Sequence, residues 1–324
     1  MSLYDRNLIL FSGKGGVGKT TIASSYALSC ARRGQRTLLM ELNVRDKVAS
    51  YFGSQEIGPE IVTVEDNLHA VNVTPDAAME EYGMMILRMK LVYRAVFENR
   101  VVRTFLQAIP GLNDLLMIGK AWHHATETDA DGGPVWDTVV VDAPATGHGI
   151  FLLQIPSVIM SSISSGHMYR EAEKIFSFLT DPQKTALNLV TLAEDMPVNE
   201  TKMLRDQARQ KLEMPIGCVV ANGLYPQTFD DRERDWIDAA HEGNLSDARG
   251  DSDQRDAGLT GMINAAAFRQ QRIDMQQHYM DEIERSFDAP IARVPFYFED
   301  RITFPVIESI AERLADQLDP EGAP

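Results

Sequence analysis

The stretch SGKGGVGKTT, Ser12 to Thr21, constrains this chain more than any other. Gly13, Gly18, Lys19 and Thr20 fill the pattern G-x-x-x-x-G-K-[ST]. An apolar run, Asn7 to Phe11, leads into it. A stretch of helical character, IASSYALSCARR, leads out and stops at Gly34, a suitable helix-ending glycine. Strand, glycine loop and helix in this order make a phosphate cradle. The glycines let backbone N–H groups turn inward around phosphate oxygens, and the helix N-terminus adds a favourable dipole. Gly13, Gly15, Gly16, Val17 and Gly18 are the candidate cradle. Lys19 is placed to neutralise β- and γ-phosphates, Thr20 to ligate Mg²⁺ through its hydroxyl, and Thr21 to reach the α-phosphate. A second lysine, Lys14, is not required by this arrangement.

Further apolar runs follow: RTLLMEL (Arg36 to Leu42), LHAVNV (Leu68 to Val73), VWDTVVVDAP (Val135 to Pro144), LNLVTLA (Leu187 to Ala193), PIGCVVAN (Pro215 to Asn222) and PIARVPF (Pro290 to Phe296). Helical stretches separate many of them. Near-continuous apolar strands alternating with helices imply an α/β fold with a mainly parallel sheet covered on both faces. The chain of 324 residues, 44% hydrophobic, reads as one nucleotide-binding domain, 1–324. A helical subdomain is expected from about 76–125 and 150–182. Within it Ala78, Tyr82, Met85, Met89, Val92 and Val96 make one apolar stripe, and Met84, Leu87, Leu91 and Ala95 a second. A helix apolar on two faces needs cover on both, from a helical layer or from a partner. GNLSDARGDSDQRDAG, 243–258, is polar and aspartate-rich and reads as a surface loop.

A phosphate site of this kind needs an acidic group at the end of another apolar strand, and TVVVDAPATGHG supplies Asp142. A carboxylate there can hold Mg²⁺, often through a water. Pro144, Thr146, Gly147 and His148 follow in a segment too rich in glycine and proline to continue the strand, and suited to a switch loop.

The net charge of -16 repels phosphate backbones, and there is no basic run, so nucleic-acid binding is disfavoured. Cys30 and Cys218 belong to no C-x-x-C pair, which argues against a zinc knuckle or a disulfide scaffold. They read as buried reduced thiols of a cytoplasmic protein. The N-terminus lacks the pattern of a signal peptide. No apolar stretch approaches the ~20 residues of a membrane span.

GKGGVGKTT resembles the deviant phosphate loop of the MinD/ParA/nitrogenase-iron-protein class of ATPases. In that class the early lysine reaches the nucleotide of the opposite subunit. The resemblance implies a homodimer in which Lys14 acts in trans. Within the class the chain is most similar to the ArsA family, which includes the arsenite-pump ATPase and the targeting factor for tail-anchored membrane proteins. The similarity covers most of the chain. VVVDAPATGHG is close to the family's D-T-A-P-T-G-H switch, and PGLNDLL (Pro110 to Leu116) and AEDMPVNET (Ala193 to Thr201) resemble further segments. Asn222 falls where the family has an adenine-contacting Asn. Pro295 and Phe296, in VPFYFED, fall where a Pro-containing loop closes over adenine. The resemblance implies ATP and Mg²⁺ as ligands, dimer closure driven by ATP, and a hydrophobic protein client. The alternative is an ATP-gated positioning or scaffold switch of the MinD/ParA kind acting through a protein partner. Its membrane-binding form wants a basic amphipathic helix, whereas ITFPVIESIAERLADQL (Ile302 to Leu318) is amphipathic but acidic.

Three departures matter. Asn43 stands where the family's first switch begins with an Asp that orients the attacking water. Asn can hold a water but cannot accept its proton. Glu41 and Asp46 flank it and could substitute, so slow or differently arranged hydrolysis is expected. The zinc clasp of the tail-anchor factor is missing, so no zinc is expected. Cys30 and Cys218 match neither an arsenite site nor the loop ligands of an iron–sulfur cluster, so neither is expected.

Overall fold

The computed structural model describes residues 2–42, 46–87, 112–144, 146–241 and 253–319. Three strands, β1 (Leu8–Ser12), β2 (Thr37–Leu42) and β5 (Thr138–Asp142), are buried at every position. Unbroken apolar runs of this kind are stable only where helices cover both faces of a sheet. They form the centre of an eight-stranded sheet with β3 (Val62–Glu65), β4 (Leu68–Val73), β6 (Thr185–Leu192), β7 (Ile216–Leu224) and β8 (Ile291–Pro295), in the order β3-β4-β2-β5-β1-β6-β7-β8. Every pairing is parallel except β3 with β4. The fold is therefore the α/β, mainly parallel architecture of a P-loop NTPase. The edge strand β3, which forms a hairpin with β4, is an addition to the strands expected from sequence. The hairpin's two-residue turn, Asp66-Asn67, closes because Asn67 takes φ 58°, a conformation Asn tolerates.

One face of the sheet is covered by α1 (Lys19–Arg32), α2 (Val48–Phe52) and α10 (Phe304–Leu318). In α1 every residue from Ile22 to Ala31 is buried. The small side chains of Ala23, Ser24, Ser25 and Ala27 let the helix lie sandwiched between the sheet and α10. The helix ends as expected, with Gly34 at φ 82° and its N–H bonded to the carbonyl of Ala31. In α10 the stripe Val306, Ile307, Ile310, Ala311 and Leu314 is buried. Each of its larger side chains contributes about 1.5–3 kcal/mol by leaving water. The apolar face of this acidic helix is thus occupied within the chain.

The other face carries α3 (Pro75–Leu87), α4 (Leu112–Thr126), α5 (Thr146–Ser162), α6 (His167–Thr180) and α7 (Asp195–Gln207). Beyond β7 lie α8 (Asp231–His241) and α9 (Asp253–Ser286), whose Met280 and Ile283 join that second core. Two expectations are corrected. Residues 253–258 of the expected loop belong to helix α9, and the rest of that loop up to 252 lies outside the described residues. The segment Thr146, Gly147 and His148 is the first turn of α5, not a loop. A helix N-terminus tolerates such residues because its first N–H groups need no intrahelical partner. The stripe residues from Met89 to Val96, Pro110 and Gly111 also lie outside the described residues. Among the described residues no helix is long and apolar enough to cross a membrane.

Candidate functional site

The loop between β1 and α1 sits at the carboxyl end of the central strands, where open α/β sheets place their ligand crevice. Two glycines are fixed there by close approach. A Cβ at Gly13 would lie 2.2 Å from the carbonyl oxygen of Val190 on β6. Gly18 caps α1 at φ 90°, and a Cβ there would lie 2.3 Å from Nδ2 of Asn222. Asn222 comes this close because its amide donates to the carbonyl of Val17 at 2.9 Å. Gly15 and Gly16 are exposed at the loop's crest, and Val17 anchors it in the core beneath.

Behind the loop is a buried polar cluster. Lys19 Nζ donates to the carbonyl of Lys14 at 3.1 Å. Burial lowers the pKa of Lys19, Asp142 opposes that, and Lys47 adds to it. The hydroxyl of Thr20 donates to Oδ2 of Asp142 at 2.6 Å. Burial pushes the Asp142 carboxyl up to about 6, against the Thr20 hydrogen bond and the charges of Lys19 and Lys47. Its Oδ1 is buried without a hydrogen-bond partner. A hydroxyl bonded to a carboxylate with one oxygen to spare is the kind of hard-oxygen donor set that suits Mg²⁺. That ion takes one or two protein groups and fills its other positions with water and phosphate.

Glu41 lies opposite Asp142 in the β2–β5 register, and Phe11 of β1 lies opposite Asp142 on its other side. Glu41 is only 1% exposed. The N–H of Lys47 donates to its Oε1 at 3.3 Å, while Oε2 is buried with no hydrogen-bond partner. Burial pushes its carboxyl up to about 8. The Lys47 N–H opposes this, and Asp46 and Asp142 reinforce it. Asp46 is engaged at both oxygens, by the N–H of Ala49 at 3.0 Å and of Ile57 at 2.8 Å. The hydroxyls of Thr21 and Tyr51 are 3.2 Å apart, which ties α1 to α2.

Lys14, beside the loop, pairs with Glu200 Oε1 at 2.9 Å and lies 2.7 Å from Met196 Sδ, both on α7. Pro295 ends β8, and Phe296 after it belongs to a group of aromatic rings. Tyr225 stacks on Phe296 with centroids 5.1 Å apart, Phe298 meets both edge-on, and Arg269 of α9 lies over Phe298. Phe296 and Phe298 are exposed. Pro144 is half-buried between β5 and α5. Asn43 lies outside the described residues. The structure thus gathers Lys14, Lys19, Thr20, Thr21 and Asp142 around one loop, and sets Asn222 against it. Sequence reasoning passed over Glu200, Met196, Tyr225, Phe298 and Arg269. For Phe298 a signal existed, because the F-Y-F spacing gives Phe296 and Phe298 a common side.

A nearly all-parallel sheet with a glycine loop between its central strand and a buried helix, backed by a strand-end aspartate, defines a P-loop nucleoside triphosphatase. The model of one family, described as anion-transporting ATPase (ArsA), matches residues 6–165 and 159–244. The chain belongs to this family of ATP-binding ATPases. It is 33% identical to the ATPase BagA of Mycobacterium tuberculosis over 78% of this chain and 73% of that protein. It is 29% identical to the arsenical pump-driving ATPase of Escherichia coli over 68% of this chain, but only 40% of that protein. To the ATPase GET3 of Kluyveromyces lactis it is 23% identical, over 89% of this chain and 83% of that one. The buried cysteines are both fully enclosed, and burial pushes the Cys218 thiol up to about 12.

Proposed function

We propose that the chain hydrolyses ATP as a magnesium-dependent homodimer and couples closure of the dimer to a hydrophobic protein client. The observation that carries the ATPase part is the 2.6 Å bond from Thr20 to Asp142, behind the phosphate loop, with the second oxygen of Asp142 buried and free. The backbone from Gly13 to Gly18 cradles the phosphates, and Thr21 reaches the α-phosphate. Lys19 leaves the carbonyl of Lys14 for the β- and γ-phosphates. Thr20 and Asp142 would hold magnesium, which supplies neutralisation of phosphate charge when bound. Lys14 leaves Glu200 and serves the nucleotide of the opposite subunit, so that closure and turnover are linked. Asn222 orders the loop through the carbonyl of Val17, and Pro295 and Phe296 lie beside the base. The segment from Pro144 through Thr146, Gly147 and His148 carries the γ-phosphate's presence into α5 as a switch.

On this reading residues 1–324 form one ATPase domain, and α3 to α6 are its helical subdomain. Support for a hydrophobic client is an apolar cleft of about 150 Å³ among α3, α4 and α6, lined by Ala78, Leu112, Leu115, Leu116, Trp122 and Met168. The test is steady-state ATP hydrolysis with Mg²⁺ against protein concentration, with Lys19→Ala as control. Turnover per subunit should rise with concentration and then level off, and the control should be at least about 100-fold slower, as expected when a group that stabilises phosphoryl-transfer charge is removed. Turnover independent of concentration would refute the dimer. Turnover equal to the control would refute the ATPase.

A further inference from the structure

Hydrolysis of a phosphoanhydride needs a group that orients the attacking water. Three carboxyl side chains come together behind the phosphate loop: Asp142, Asp46 and Glu41. Asp142 takes the Thr20 hydroxyl and is the magnesium candidate. Asp46 is held at both oxygens by backbone N–H groups that shape the turn around α2. Like Asp142, Glu41 is held at one oxygen, by a single 3.3 Å contact from Lys47, while its other oxygen is buried and unpartnered, but no hydroxyl beside it among the described residues makes it a magnesium candidate. Paired residues on adjacent strands lie about 4.8 Å apart and present the same face. Glu41 and Asp142 therefore share one face of the sheet, the face against which α1 brings Thr20. A buried acceptor left without a partner bears the full cost of its lost hydration, so it calls for a bound group that completes it.

We propose that Glu41 is a catalytic residue that holds the attacking water, with Oε2 accepting a hydrogen bond from it and the Lys47 N–H fixing Oε1. This rests on the ATP hydrolysis proposed above. In the step, the water oxygen bonds to the γ-phosphorus. The bond from that phosphorus to the β–γ bridging oxygen breaks, its electron pair leaves with ADP, and the water's proton goes to an oxygen of the released phosphate. Glu41 directs the water's lone pair. It need not take the proton.

The experiment compares wild type, Glu41→Gln, Glu41→Leu and Lys19→Ala in two assays: single-turnover ATP hydrolysis, and equilibrium binding of a fluorescent ATP analogue with Mg²⁺. Glu41→Leu removes the acceptor and should slow turnover about 100-fold, and Glu41→Gln keeps a carbonyl acceptor and should slow it only about 10-fold. Both should bind the analogue within roughly threefold of wild type, because water-holding acts on the chemical step. If Glu41→Leu does not fold, Glu41→Gln carries the test. Unchanged turnover in a folded variant overturns the proposal. So does loss of nucleotide binding in parallel with turnover, which would make Glu41 structural. A wild type no faster than Lys19→Ala would instead bring down the ATPase reading on which the proposal stands.

Discussion

At the scale of single residues, the two lysines of the loop have different environments. Lys19 is partly buried and held against the loop's own backbone, whereas Lys14 points along α7 to Glu200 and Met196. An ion pair exposed to this extent is worth about 0–1 kcal/mol, so Lys14 can leave it at small cost. Lys14→Ala should therefore leave ATP affinity within roughly threefold of wild type while lowering turnover by about 100-fold, since a cation acting on developing charge contributes mainly in the transition state. The two measurements are nucleotide titration at low protein concentration and turnover at high concentration. A loss of affinity as deep as that of Lys19→Ala would place Lys14 on its own subunit's nucleotide and remove the argument for an action in trans.

At the scale of elements, β7 reaches the phosphate loop through one hydrogen bond, from Asn222 to Val17. The lack of a Cβ at Gly18 is what makes room for it. Asn222→Ala should weaken ATP and GTP equally, by about 10-fold for the loss of one hydrogen bond that orders the cradle. Competition titrations with both nucleotides check this, and a loss confined to ATP would show that Asn222 reads the base instead. The loop, its flanking strand and helix, and the end of α1 at Gly34 were all legible in sequence because their signals are local. The apolar runs likewise located the parallel strands. The pairing of Glu41 with Asp142 was not legible, because it depends on β5 lying between β1 and β2 although nearly a hundred residues separate it from β2 in the chain. The same holds for the contact of Arg269 with Phe298 and of Lys14 with Glu200, which bring together distant elements. The helical start at Thr146 is hidden in the sequence for another reason. Glycine and proline argue against continuing a strand, but they are compatible with the first turn of a helix.

At the scale of the whole molecule, the candidate site is a place where the fold carries destabilising groups. Glu41 and Asp142 sit among β-strands with burial opposing their charge, and Asp46 adds to the effect on Glu41. Burial pushes the Glu41 carboxyl from its ordinary value of 4.5 up to about 8 in the folded chain. Between those values the native state binds a proton that the unfolded state has lost. Stability therefore falls as pH rises through that window, and the cost is fully present above it. Asp142 acts in the same direction, from 3.8 to about 6, with Lys19, Lys47 and Thr20 reducing the effect. Glu41→Gln removes the charge but keeps an acceptor for the Lys47 N–H. In urea unfolding without Mg²⁺ or nucleotide, this variant should be more stable than wild type at pH 8.5 by on the order of 1–2 kcal/mol, and the difference should shrink toward pH 5. A difference that stays constant across this range would mean that Glu41 does not titrate with folding. A gain at high pH alongside slower hydrolysis would mark Glu41 as a residue whose presence costs stability and whose benefit lies in turnover.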